Sequence, residues 1–415
     1  MKAAFLTLGC KLNYAETSTY ERGFRKAGVE VVPWREKADI YVVNTCTVTA
    51  VSDAKSRNIV RKVHRVNPDA KVVVTGCSAE LRRGDFSNIE GVDLVLGAEE
   101  KSLLVGRSLK LLGIGAPDEE QQAPKVFAAY STGERTRSFL KVQDGCNNFC
   151  KYCTVPYARG RSRNVPISEC VENAKAIAAS GVKEIVLTGV NTGDFGRTTG
   201  ESFLDLLKAL NEVEGIERYR ISSIEPNLLT EDIVDWIASG TKFQPHFHIP
   251  LQQGTDEILS AMGRHYTTAF FADKIASIRG KMEGPGKPRV FFGIDVMAGL
   301  PGETEELFEK ELSFLRCIKP SFIHVFPYSK RPGTPAAAMP GQVSEEEKKR
   351  RVAVLEDLCA ELHAEFEASE IGKTFPVLFE SKDKNGMMSG FTPNYLKVTA
   401  PYDKSLVGKI SEIKF

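Results

Sequence analysis

Residues 146–153 read CNNFCKYC and set Cys146, Cys150 and Cys153 at a C-x3-C-x2-C spacing. Three thiolates on so short a loop can hold three corners of a four-iron cubane, because soft sulfur ligands favour iron–sulfur clusters. With three protein ligands, one iron stays open to an exogenous ligand. A zinc knuckle is the other use of such a loop, but it needs a further Cys or His close by, and the neighbouring sequence has none. The loop follows SFLKVQDG (138–145), a strand-like run, so the open iron is expected at the carboxyl end of a strand.

Beyond the loop, five more strand-like runs alternate with helical patterns: EIVLTG (184–189), YRISSIE (219–225), HFHIPL (246–251), VFFGIDVMAG (290–299) and FIHVFPYS (322–329). SFLDLLKALNEV (202–213) and ETEELFEKELSFLRCI (303–318) are examples of the helices between them. Six β/α repeats predict a partial (β/α)6 barrel with its site at the carboxyl ends of the strands.

Ahead of the loop, three segments share one plan. AAFLTLGC, DIYVVNTC and KVVVTGC are β-branched, apolar runs that end at Cys10, Cys46 and Cys77. Such runs suit strands buried on both faces. The stretches between them read as helices, one capped at Asn13 with Glu16 three residues on, the other starting at Ser52. In a parallel sheet these strand ends lie side by side, so three cysteines converge on one point as ligands. Residues 114–134 have no sustained period and read as a linker. A long helix over 344–370 leads to strand-like runs within 372–415, which read as a small all-β barrel. The predicted division is an α/β domain over 1–115, a linker over 116–134, the barrel over 135–371 and the β module over 372–415.

The 415 residues are 42% hydrophobic and 26% charged, with nine cysteines and a net charge of +1. No apolar run approaches the roughly 18 residues that cross a membrane, and the one before Cys10 is short beside a secretory h-region of about 7–15. Many thiols at ligand spacings, in odd number, suit metal binding in a reducing compartment, so a cytoplasmic location is expected. Any grip on a polyanion must be local. Residues 372–415 carry seven lysines against four acids, with Phe391 and Tyr395 as candidate stacking faces. Arg159, Arg161 and Arg163 in YARGRSR beside the cysteine loop are candidate phosphate contacts. Cys170, Cys317 and Cys359 read as core hydrophobes, and His246 and His248 share one strand face that could line a pocket.

The chain resembles the radical S-adenosylmethionine (SAM) methylthiotransferase family along essentially its whole length. The resemblance rests on CNNFCKYC, on GCKLN (9–13), VNTCTVT around Cys46, VTGC at Cys77, YARGRSR and GLPGET (299–304). It implies two 4Fe-4S clusters, an auxiliary one on Cys10, Cys46 and Cys77 and a radical SAM cluster on Cys146, Cys150 and Cys153. It also implies that SAM chelates the open iron of the second cluster, with Tyr152, Gly189, Asn191, Glu225 and Gln252 near the cofactor. One SAM would methylate a sulfur at the auxiliary cluster, and a second would yield the radical that activates C2 of an adenosine in tRNA. GCKLN resembles the branch that acts on N6-threonylcarbamoyladenosine next to the anticodon. The isopentenyl-adenosine branch tends towards Gln-Met after the Cys, and the ribosomal-protein aspartate branch towards Pro-Lys. The last 44 residues resemble the family's RNA-binding (TRAM-like) module, with Lys382, Lys384 and Lys397 as RNA contacts. A reductant such as a flavodoxin or ferredoxin would serve as electron donor. An iron–sulfur redox sensor that binds RNA is the non-enzymatic alternative; an open-iron loop argues against it.

Overall fold

The computed structural model describes residues 1–47, 49–115, 126–132 and 136–415, with the side chains of residues 50 and 381–384 left aside. Its first unit is a parallel sheet of β1 (Lys2–Thr7), β2 (Glu30–Val32), β3 (Ile40–Thr45), β4 (Lys71–Gly76) and β5 (Leu94–Val95), in the order β2-β1-β3-β4-β5. Alternation along the strands explains its burial on both faces. Tyr41, Val43, Val72 and Val74 pack beneath Val60 and Val63 of one helix, while Ile40, Val42 and Val73 pack against Tyr20 and Phe24 of another. Those helices are α1 (Lys11–Lys26) and α2 (Ala50–Val66). Both begin earlier than the sequence suggested. Cys10 is the N-cap residue of α1 and Asn13 lies buried inside it, whereas Thr49 caps α2 by accepting from the Ser52 N–H.

The described part of the linker, 126–132, packs rather than floats. It forms β6 (Ala129–Tyr130), antiparallel to β7 (Arg137–Lys141), and Phe127 stacks on Tyr20 of α1. After β8 (Gln143–Asp144) and β9 (Arg163–Asn164) come β10 (Glu184–Thr188), β11 (Arg218–Ile221), β12 (His246–His248), β13 (Phe291–Ala298) and β14 (Phe322–Pro327). Strands β7, β10 and β11 form one parallel run and β12, β13 and β14 another. Parallel bridges Tyr219–Phe243 and Ser223–His248 join the runs, so six strands make a partial barrel around one large core. The helix Glu345–Ala368 covers the last strands with Leu355, Leu358, Cys359 and Leu362. Cys170 is likewise buried, but Cys317 is exposed: it lies on the solvent side of its helix, with Leu315 and Ile318 turned inward.

The C-terminal unit is an antiparallel sheet of β15 (Thr374–Lys384), β16 (Met387–Phe391), β17 (Lys397–Pro401) and β18 (Ile410–Lys414), in the order β17-β16-β15-β18. Asn385 and Gly386, both at positive φ, make the two-residue hairpin between β15 and β16. This unit closes the amino end of the barrel. Residues that open the barrel strands meet it: Arg137 bonds Glu380 and the Tyr395 hydroxyl, Arg218 donates to the Phe391 carbonyl, and His246 packs on Tyr395. Arg220 bonds the fully buried Glu184 at 2.8 Å and donates to the carbonyls of Thr392 and Pro393. Phe391 and Tyr395, read from the sequence as RNA-stacking faces, therefore stack on each other against the barrel.

Burial by itself would raise the Glu184 carboxyl, but the neighbouring arginines, Arg220 foremost, hold it below the usual range. Glu184→Gln is expected to destabilise the protein by about 3–5 kcal/mol, because it strands a buried guanidinium. Chemical denaturation measures the loss. Hydrogen exchange should rise first in residues 374–398, and an unchanged midpoint would contradict this role for the pair.

Candidate functional site

The carboxyl ends of the adjacent strands β1, β3 and β4 deliver three cysteines to one place. Cys10 follows the end of β1, Cys46 comes directly after β3, and Cys77 opens the short helix α3 (Cys77–Leu81) directly after β4. Gly9 sits at φ +104°, and a Cβ there would lie 2.8 Å from the Cys46 sulfur. Only glycine lets the Cys10 and Cys46 backbones come this close. Burial pushes the Cys77 thiol up, against the pull of Arg159, whose Nε donates to its sulfur at 3.2 Å.

The second triad lies on the loop after β8. Phe149 adopts φ +47° within it, the Asn148 N–H donates to the Cys146 sulfur at 3.4 Å, and Arg264 Nη1 donates to the Cys150 sulfur at 3.1 Å. Burial, together with the other cysteines of the triad, pushes the Cys146 thiol up to about 11 and the Cys153 thiol up to about 12. Thiols gathered in this way ionise together only around a positive centre. Both cysteine sets thus suit iron–sulfur clusters: three sulfurs each, with cationic N–H donors supporting Cys77 and Cys150.

Between the triads lies a buried charge cluster that the sequence did not announce. Glu16, fully buried in α1, accepts from Lys101 Nζ at 2.8 Å, Lys141 Nζ at 2.8 Å and Arg159 Nη1 at 3.1 Å. Asp144 bonds Lys141 at 2.7 Å and Arg159 at 2.9 Å. Arg159 Nη2 also donates to the Asn13 side-chain oxygen at 2.5 Å. Two carboxylates face three buried cations, and the surplus positive charge borders Cys77, where a thiolate-ligated cluster would balance it. Arg159 is therefore no surface phosphate contact; the charges that hold it cover it.

The other sequence-selected residues divide. Glu225 is bonded by Arg264 Nη2 at 2.5 Å, and Arg264 also reaches the Tyr152 hydroxyl at 3.4 Å. Arg264 thus ties Cys150, Tyr152 and Glu225 together, though it stands in no recognisable motif. Gly189 is small because the Gln143 side chain crosses it: a Cβ would meet Gln143 Oε1 at 2.8 Å. That same oxygen accepts the N–H groups of Val190 and Asn191. Asn191 keeps its own buried Oδ1 without a partner among the described residues, and so does the Ser222 hydroxyl. Both sit just past strand ends, where a polar ligand can bond them. Gln252 adopts φ +72°, held by backbone bonds to Asp295 and Met297. Arg163 donates back to the Arg159 and Arg161 carbonyls. Arg161 stays exposed over the Phe149 ring, beside exposed Tyr157. The side chains of Lys382 and Lys384 lie outside the described residues.

A cavity of about 950 Å³ occupies the middle of the barrel, a size suited to a nucleoside. All three units wall it: Cys10, Lys11 and Tyr14 from the first, Ser223, His248, Asp295 and His324 from the barrel, and Tyr395 and Lys397 from the third. His248 bonds Asp295 at 2.8 Å. Of the first triad, Cys10 lines this cavity, while Cys46 and Cys77 are buried behind it.

Residues 2–97 match the family described as uncharacterized protein family UPF0004, and residues 140–315 match the radical SAM superfamily. The chain is 38% identical to the threonylcarbamoyladenosine tRNA methylthiotransferase of Bacillus subtilis, over 99% of this chain and 93% of that one. It is 36% identical to the enzyme of that name from Thermotoga maritima, over 94% and 89%. It is 32% identical to the tRNA-2-methylthio-N(6)-dimethylallyladenosine synthase of Alkaliphilus oremlandii, over 100% and 90%. Among solved structures, the radical SAM methyltransferase TsrM from Kitasatospora setae, with cobalamin and a 4Fe-4S cluster bound, shares the fold at a TM-score of 0.58 and 16% identity, over 81% and 77% of the chains.

Two outcomes follow from this geometry. Cys46→Ala is expected to lower bound iron by about half while Cys317→Ser leaves it unchanged, as read by iron analysis of the reconstituted protein. Glu16 carries the second. Burial raises its carboxyl, but Arg159, Lys101 and Lys141 outweigh that and hold it well below its ordinary value of 4.5. The stabilisation is complete above that value and is lost as the pH falls from there toward the folded-state value. Glu16→Gln should cost about 3–5 kcal/mol near neutrality and flatten the acid limb of the denaturation profile. A variant with the parent's acid limb would contradict the assignment.

Proposed function

The chain belongs to the radical SAM methylthiotransferases, in the branch of the threonylcarbamoyladenosine tRNA methylthiotransferases, and from that membership we propose how its residues perform the reaction. The enzyme methylthiolates C2 of N6-threonylcarbamoyladenosine at the tRNA position next to the anticodon. The 4Fe-4S clusters and SAM, when bound, supply the carbon-centred radical and the methylated sulfur, chemistry that an aromatic C–H without acidic proton or leaving group otherwise refuses.

Residues 1–115 would hold the auxiliary cluster on Cys10, Cys46 and Cys77. The barrel, 135–371, would hold the radical SAM cluster on Cys146, Cys150 and Cys153, where it would bind SAM. Arg264 braces Cys150 and fixes Glu225 for the cofactor, and the oxygens of Asn191 and Ser222, unpartnered among the described residues, offer it further polar contacts. Residues 372–415 close the barrel floor and bring Lys397 to the cavity wall. Arg161, exposed with Phe149 and Tyr157 beside the second triad, supplies a cation and two aromatic faces for the RNA. A small flavodoxin- or ferredoxin-type protein delivers the electrons, in the cytoplasm; among the described residues no helix is long and apolar enough to cross a membrane.

The observation that carries this reading is the cavity itself, walled by all three units with Cys10 on one side. A base held within it is walled by all three units, which limits the access of water to a radical. Nucleoside mass spectrometry of tRNA from a strain lacking the gene is expected to show loss of methylthio-threonylcarbamoyladenosine and accumulation of its precursor. Loss of methylthio-isopentenyl-adenosine instead would move the enzyme to the other tRNA branch. No change in either nucleoside would remove tRNA as the substrate.

A further inference from the structure

We propose that Lys11 reads the carboxylate of the threonylcarbamoyl group and thereby selects the substrate. The inference rests on the substrate reading above and adds the residue that enforces it.

Four cations line the cavity, and the structure occupies two of them. Arg137 bonds Glu380 at 2.9 Å and the Tyr395 hydroxyl at 3.0 Å. Arg220 is taken by Glu184 at 2.8 Å and by the carbonyls of Thr392 and Pro393. Lys397 enters from the C-terminal sheet, and Lys11 from the first turn of α1. The Lys11 ammonium has no hydrogen bond or ion pair among the described residues. It shares the cavity wall with Arg137, Arg220, Tyr395 and Asp295. The one carboxylate among these, Asp295, is already bonded to His248. With both arginines already paired, an ammonium that has no acid of its own leaves its part of the cavity wall positive, ready for an anion.

Substrate chemistry supplies that anion in one case and not in another. An isopentenyl group on N6 carries no charge and asks for an apolar wall. A threonylcarbamoyl group ends in a carboxylate. N6 and C2 flank N1 on the same edge of adenine, so an anchor on the N6 arm also orients C2. Lys11 is the residue after Cys10, so the charge that grips the arm sits beside the triad that presents the sulfur. Lys397 lacks this placement, since it projects from the opposite unit.

The test compares two anticodon stem–loops with the reconstituted holoenzyme: one with the threonylcarbamoyl free acid, the other with its neutral methylamide. A charge-assisted contact on the cavity wall gives the wild type a kcat/KM roughly 10- to 100-fold higher for the acid. Lys11→Gln should bring the acid-to-amide ratio close to one, chiefly through KM, and Lys11→Arg should restore most of it. A wild-type ratio of one overturns the inference without any variant. A ratio that survives in Lys11→Gln, or that vanishes only in Lys397→Gln, overturns it as well. A wild type inactive on both stem–loops but active on an isopentenyl-adenosine stem–loop overturns the substrate reading and takes this inference with it.

Discussion

The carboxylate of Glu16 is the point on which this architecture turns. An isolated ion at such depth would cost several kcal/mol and would neutralise instead. Here it stays charged because Lys101, Lys141 and Arg159 arrive from three other parts of the chain. Lys141 belongs to the first barrel strand and Arg159 to the turn after the radical SAM cysteines, while Glu16 itself stands one and a half turns into the helix that Cys10 caps. Satisfying one buried charge therefore docks the first unit on the barrel in a single register. Arg159 carries the constraint into the chemistry, since its Nε rests on the Cys77 sulfur.

A second buried pair does the same work at the barrel floor. Glu184 and Arg220 orient the loop at Thr392 and Pro393, which brings Tyr395 against His246 and closes the cavity from below. Neither cluster is rich in net stability, because desolvation offsets most of the Coulomb gain in buried pairs. Their contribution is geometric. They leave a space between units whose walls carry Cys10, a histidine–aspartate pair and two lysines that have no partner among the described residues.

Much of this was legible in the chain because it is local. The β-branched runs ending at Cys10, Cys46 and Cys77 announced buried parallel strands, and the spacing of Cys146, Cys150 and Cys153 announced a cluster loop at a strand end. Four of the six barrel strands lie within the runs read for them and β7 and β11 begin one residue earlier, because their alternation with amphipathic helices is periodic. What escaped is non-local. Glu16 looked like half of a capping box, yet its partners stand 85, 125 and 143 residues away. Arg159 looked like a surface phosphate contact and Tyr395 like an RNA-stacking face; both are turned inward by contacts that no short window contains. Arg264, which braces Cys150 and Glu225, stands in an unremarkable stretch for the same reason.

The central claim is that the two cysteine triads belong to one site, held together through Arg159 and Glu16 across the boundary between units. Electron paramagnetic resonance of the fully reduced protein tests this most directly. Two clusters held close by one buried network should show spin–spin broadening that disappears when Cys46→Ala removes the auxiliary cluster. A spectrum equal to the simple sum of two isolated clusters would contradict the account.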